Sequence, residues 1–186
     1  MTETSRTPPA VTAVRTIEHA VRLDGAARLL EPAARALVAG RGRRDLPYGR
    51  VVGHAIHPVL TDLPIGAWIS ASVLDLTAGP SAAPAARRLV GFGVLSAIPT
   101  VVTGLAEWAA VDQLSMWVGV VHAAANAVGL VLNVGSWVAR SHGHRGRGAA
   151  LTLASQVALG VGGQLGGHLT LVRKEGAHSY GRQATS

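Results

Sequence analysis

The chain has 186 residues, enough for one domain, and it is 48% hydrophobic but only 15% charged, an apolar balance for a protein surrounded by water. It contains no cysteine, which excludes disulfides, thiolate nucleophiles, Cys-held zinc and Cys-ligated iron–sulfur clusters. A net charge of +7 with a pI near 11.4 would suit nucleic acid. The basic residues, however, sit in an N-terminal arm and in loops, so lipid headgroups and membrane topology are the expected reading and nucleic acid is not.

Residues 1–12 are rich in Thr, Ser and Pro and are expected to be a disordered tail. They have no positive start followed by an apolar core, so no cleavable signal peptide is expected. Residues 13–49 read as an amphipathic basic arm. Arg15, Arg22, Arg28 and Arg35 recur at nearly two-turn spacing among Val14, Ile17, Val21, Leu29, Leu30 and Leu37, a helical pattern with breaks expected at Asp24-Gly25 and Glu31-Pro32. Such an arm suits an anionic membrane surface and equally a face of the protein itself. GRGRRD, residues 40–45, is a basic linker.

Residues 50–178 carry four expected helices, at about 58–78, 87–108, 115–139 and 149–172, and residues 179–186 form a tail. The last three hold runs without Asp, Glu, Lys or Arg, at 89–106, 114–139 and 149–172, each long enough to cross roughly 30 Å of hydrocarbon. The first is interrupted by Asp62, Pro64 and Asp75, which leaves a continuous and a re-entrant form both open. Short links enforce antiparallel neighbours, so the fold class is an all-α integral membrane protein, an antiparallel four-transmembrane-helix bundle. In the fourth helix Gly162 with Gly166, and Gly163 with Gly167, form small pairs that admit another helix, a route to a homo-oligomer. GVGGQLGG follows no strand and is not a dinucleotide loop.

In that topology the start of helix one, the end of two, the start of three and the end of four share one side. His54, His57, Asp62, Glu107, His122 with Asn126, and His168 with Gln164 gather there. The i, i+4 spacing puts each of the last two pairs on one helix face. The opposite side carries Asp75 and the Arg87-Arg88 pair, expected to be a structural ion pair or snorkelling anchors. Ionisable groups inside a membrane are costly and signal function by default, and imidazole suits iron, copper or zinc and titrates near neutral pH.

Three functional readings follow, beside a fourth in which the polar groups only glue helices together. Two histidines ligate haem b iron, with Gly119, Ala123, Gly163 and Gly167 making room for the porphyrin. Alternatively, His54, His57, His122 and His168, with Glu107 or Asp62, hold transition-metal ions, Asn126 and Gln164 standing behind them. In the third, the same residues form a metal-free proton relay or quinone pocket. His122 and His168 are the leading ligand pair. No nucleophile elbow accompanies Ser70, Ser72, Ser96 or Ser115, so hydrolase chemistry is not expected, and the reading leans away from an enzyme without deciding it.

GHAIHPVLTDLPIGAW at 53–68, Asp75, AIPTVVTGLAEW, the VHAAAN of helix three and GGHL of helix four resemble the bacterial membrane family called domain of unknown function 2231. His54, His57, Pro58, Asp62, Pro64, Gly66, Asp75, Gly104, His122, Gly167 and His168 fall on its pattern. The resemblance implies a four-helix membrane protein and no settled activity. Some relatives continue into a Rieske-type iron–sulfur domain, which implies a redox setting; this cysteine-free chain would then need a redox partner protein or a site of its own. The leading expectation is a membrane redox or metal-binding protein of the bacterial cytoplasmic membrane with cytoplasmic termini, the alternative a non-enzymatic anchor or accessory subunit of a redox complex.

Overall fold

The structure, a computed structural model, describes residues 8–39 and 56–173. His54, the 40–45 linker and the 179–186 tail lie outside the described residues. Among the described residues all regular structure is helical.

Helix α1 (Pro9–Ile17) takes in residues assigned by composition to a disordered tail. Pro9 stands in the first turn, where a missing N–H costs nothing, and buried Val14 anchors the helix between Val118 and Leu165. A 3₁₀ turn (Val21–Leu23) leads to α2 (Asp24–Leu37). The break in the arm therefore precedes Asp24, and Pro32 stays inside α2. Arg15, Arg22, Arg28 and Arg35 are exposed while Ala27 and Ala34 are buried. The arm rests on the protein's own end: the Trp117 indole N–H donates to Asp24 Oδ1 at 2.8 Å, and Val38 packs on Ala106.

Three helical stretches are long and apolar enough to cross a membrane: α3 (His57–Thr77), the stretch Pro80–Trp108 that contains α4 (Ala83–Trp108), and α5 (Gln113–Ser141). Helix α3 runs unbroken through Pro64, so the re-entrant form does not arise. Helix α6 (Arg145–Gly167) is not among the three, because Gly, Ser, Thr and Gln dilute its apolar content. It continues into a π-helical turn, His168–Val172.

Cross-helix bonds fix the packing. Between α3 and α4, the Trp68 indole donates to the Val90 carbonyl at 3.3 Å and Thr100 Oγ1 to the Leu60 carbonyl at 3.1 Å. Between α5 and α6, Asn133 Nδ2 donates to Ser155 Oγ at 2.8 Å and Ser136 Oγ to the Gly148 carbonyl at 2.7 Å. Leu159 packs into the space at Gly129, where any Cβ would meet it at 2.7 Å. Polarity is inside out. Ser115, Asn133, Ser136, Thr152 and Ser155 are 0% exposed, whereas Leu76, Ile98, Val131 and Val157 are 61–73% exposed, the distribution of a protein whose outer solvent is hydrocarbon.

Asp75 does not pair with Arg87 or Arg88, which are exposed. It forms a bidentate ion pair with Arg140, and Arg145 approaches at 3.9 Å. The Asp75 and Arg140 side chains are 5% and 2% exposed. The acid is thus matched from α5 and α6 rather than from the neighbouring α4.

Candidate functional site

The polar side chains at the arm-covered end are positioned by glycines and by main-chain carbonyls. His57 opens α3, and its ring lies over Gly104 of α4, where a Cβ would stand 2.6 Å from Cε1. His57 Nδ1 is 2.9 Å from the Thr100 carbonyl. A carbonyl only accepts, so Nδ1 carries the proton and Nε2 keeps its lone pair. Thr103 Oγ1 lies 3.4 Å from the same Nδ1. One turn on, the Glu107 carboxyl accepts from the His57 backbone N–H. Its Oε1 is buried without a hydrogen-bond partner among the described residues.

His122 of α5 is built by the same rule. Nδ1 donates to the Gly162 carbonyl at 2.8 Å, and Nε2 accepts from Asn126 Nδ2 at 3.1 Å. The same amide reaches the His122 carbonyl at 2.9 Å. Gly166 makes room for the His122 ring and Gly162 for the Asn126 amide. The His57 and His122 ring centroids are 6.4 Å apart, edge to face at 78°. Histidines from two helices thus do come together, but the pair is His57 with His122.

His168 is engaged elsewhere: its Nε2 lies 3.0 Å from Glu18 Oε1 on the arm, and Arg173 approaches that carboxylate at 4.0 Å. The expected His122–His168 ligand pair is therefore not assembled. Glu18 escaped the sequence reading because it belongs to the arm, whose docking place no periodicity reveals. Asp62 is exposed, since five residues from His57 turn it roughly 140° around α3. Gln164 is also exposed, two residues from both Gly162 and Gly166 and so on the far side of α6. Of the small residues expected to seat a porphyrin, Gly119 is occupied by the Trp108 indole, and Gly163 and Gly167 face open space. Among the described residues no three His, Asp or Glu side chains gather as a metal site.

Beside this cluster, Asp112 begins α5. Its Oδ1 accepts the Ser115 N–H at 2.8 Å and its Oδ2 pairs with Arg173 at 2.6 Å. Burial pushes its pKa up, but the Ser115 bonds and the Arg173 charge together outweigh that and hold the carboxyl below its ordinary value.

The family described as Predicted membrane protein (DUF2231) matches residues 53–178. The chain belongs to this family. The match covers His57, Glu107, His122 and His168, whereas Glu18 and the arm helices α1 and α2 lie before the DUF2231 segment. No curated protein and no solved structure matches the chain. The sequence also did not single out Thr100 and Thr103 as partners of His57, although both sit one helical turn or less from Gly104 in PTVVTGLAE.

Proposed function

We propose that this DUF2231 protein is a four-span antiparallel bundle of the bacterial cytoplasmic membrane with cytoplasmic termini, and that His57 and Glu107 form a metal-free, proton-accepting site in it. The four-span count is supported by α6, whose buried Thr152 and Ser155 face α5 and whose charge-free run extends to Val172. Labelling of single cysteines introduced at residues 5, 145 and 180 tests it: 5 and 180 should be reached from the cytoplasmic side and 145 from the other, and labelling of 145 and 180 from one side of the membrane would refute it.

The observation that carries the proton reading is an imbalance. The His122 ring nitrogens each have a partner, whereas Glu107 Oε1 is buried without one and His57 offers Nε2 as a lone pair once Nδ1–H is fixed on Thr100. An open buried polar group costs about 1–3 kcal/mol, and Glu107 Oε1, unlike the equally unpartnered Asn133 Oδ1 between α5 and α6, belongs to an ionisable side chain. An imidazole on the residue whose backbone N–H holds a carboxyl can take or give one proton with a counter-charge on the same element junction. His122, held on both sides, orients its neighbour and stays neutral. The site acts as a relay or as the polar end of a quinone pocket, in a protein that is an accessory subunit rather than an enzyme.

Nitrogen-15 histidine spectra of the micelle-bound protein test this reading. His57 titrates reversibly and Glu107→Gln moves its midpoint. A His57 resonance that never changes while the protein stays folded rejects the proposal. One observation favours a second reading: both Nδ1 atoms rest on carbonyls, the support that metal-ligating histidines commonly have. A haem Soret band or stoichiometric metal in gently purified protein, lost in His57→Ala, would put the metal-bearing site in place of the metal-free one.

A further inference from the structure

The arm meets the bundle at residues that adjoin the histidine cluster. Val38 packs on Ala106, which immediately precedes Glu107. Val14 lies on Val118 and Leu165; Val118 is one helical turn from His122, and Leu165 precedes the Gly166 that seats the His122 ring. With Asp24 on the Trp117 indole and Glu18 on His168, α1 and α2 reach across the end of α4, the start of α5 and the end of α6. In this docked arrangement Glu107 Oε1 is buried. A carboxyl that exchanges protons needs a route to water, and the arm lies at the end of the bundle from which water would come.

The hold of the arm is shallow. Helix α2 buries only the methyl groups of Ala27 and Ala34, and α1 is anchored by Val14. A cavity of about 290 Å³ lies between α2 and the side chains of Trp108, Gln113 and Met116. A segment with so few buried apolar contacts opens more readily than the core it rests on. Among the described residues Glu18 makes the arm's ionic tie to the bundle. Its side chain, 13% exposed, meets His168 Nε2 at 3.0 Å and Arg173 at 4.0 Å. Arg173 is shared and stands closer to Asp112, at 2.6 Å, so His168 is the nearer partner of Glu18. The pair Glu31 with Arg35 is internal to α2 and ties the arm to nothing.

We infer that α1 and α2 form a releasable strap over the Glu107 and His122 end of the bundle, with Glu18 as its latch on His168 and Arg173, and that release admits water to Glu107. The inference rests on the proton-site reading and supplies its regulation. A cover of this kind separates a site from bulk water while closed and lets it exchange when open.

Amidation of Glu107 by a water-soluble carbodiimide and an amine, located by mass spectrometry of the detergent-purified full chain, tests the strap. Glu18→Ala speeds the reaction by about tenfold, the population shift for losing one hydrogen bond to a charged group. Glu18→Gln falls between, because its amide oxygen still accepts from His168, and Glu31→Gln leaves the rate unchanged. The chain has no cysteine, so a disulfide between Val14→Cys and Leu165→Cys locks the strap, and the locked chain reacts slowly until it is reduced. Equal rates in the locked, wild-type and Glu18→Ala chains overturn the cover, as does faster proteolysis of the arm at Arg22 without faster reaction of Glu107. Unchanged proteolysis and an unchanged rate in Glu18→Ala overturn the latch. Matching circular-dichroism melts serve as the folding control. A His57 that never titrates while the strap still gates Glu107 strikes the proton reading alone, and a titrating His57 with equal amidation rates strikes the strap alone.

Discussion

Gly104→Ala tests whether the His57 seat is as tight as the structure shows. The new Cβ would stand 2.6 Å from His57 Cε1 and 2.9 Å from Nδ1, where ordinary contact starts near 3.4 Å. The ring has to retreat by the shortfall, about 0.8 Å, or the helices have to part by that much. Nδ1 sits 2.9 Å from the Thr100 carbonyl, so a retreat of that size away from it carries the pair well beyond the roughly 2.7–3.2 Å usual for N–H···O bonds. Leaving that donor and acceptor unpaired costs about 1–3 kcal/mol, and the overpacking costs a further ~1–3 kcal/mol. Replacing a helical glycine by alanine returns at most about 1 kcal/mol. The net is a loss of about 1–6 kcal/mol, read as a lower midpoint in denaturant titration of the micelle-bound protein. Gly163→Ala on α6 is the control, because nothing lies within 4 Å of its Cβ position; it should be neutral or stabilising by up to about 1 kcal/mol. Equal midpoints for the two variants, with the His57 resonance unmoved in Gly104→Ala, would refute the reasoning.

At the other end of the bundle, Asp75→Asn leaves the buried Arg140 guanidinium without its counter-charge and should cost about 3–5 kcal/mol. The double variant Asp75→Asn, Arg140→Gln should recover part of that loss in a double-mutant cycle, and strict additivity would show that the pair is uncoupled. Asp112→Ala removes the cap of α5 and should cost about 1 kcal/mol. Because the folded Asp112 carboxyl titrates below its ordinary value, its stabilisation is complete above the ordinary carboxylate range and is lost as pH falls through the folded value. Asp112→Asn should therefore flatten the acid limb of the stability–pH curve. Asp24→Ala breaks the bond from the Trp117 indole and should loosen the arm, measured as faster proteolysis at Arg22 and Arg28 while the spans stay protected.

Helix positions were legible because charge-free length is a direct consequence of hydrocarbon thickness, and α3, α4 and α5 start within four residues of their expected starts. His57 and His122, both expected at one end, lie with ring centroids 6.4 Å apart, and Asn126 bonds His122 as their i, i+4 spacing suggests. Azimuth was harder. Asp62 and Gln164 have the right depth but the wrong face, and depth alone cannot distinguish them from His57 and His122. Docking of the arm was not legible, because Val14, Glu18 and Asp24 find partners through shape and through single polar contacts with α5 and the end of α6. The destination of Asp75 was hidden likewise: Arg87 is nearer in sequence, yet Arg140 is the one buried beside it.

The π-helical turn at His168–Val172 has an engineering consequence, because such a turn accommodates one residue more than the α-helical ladder requires. Removing one residue there would restore an α-helical end and swing Arg173 by roughly 100°. Arg173 would leave Asp112 and Glu18 together. One codon in this turn therefore decides whether a single guanidinium serves both the cap of α5 and the arm.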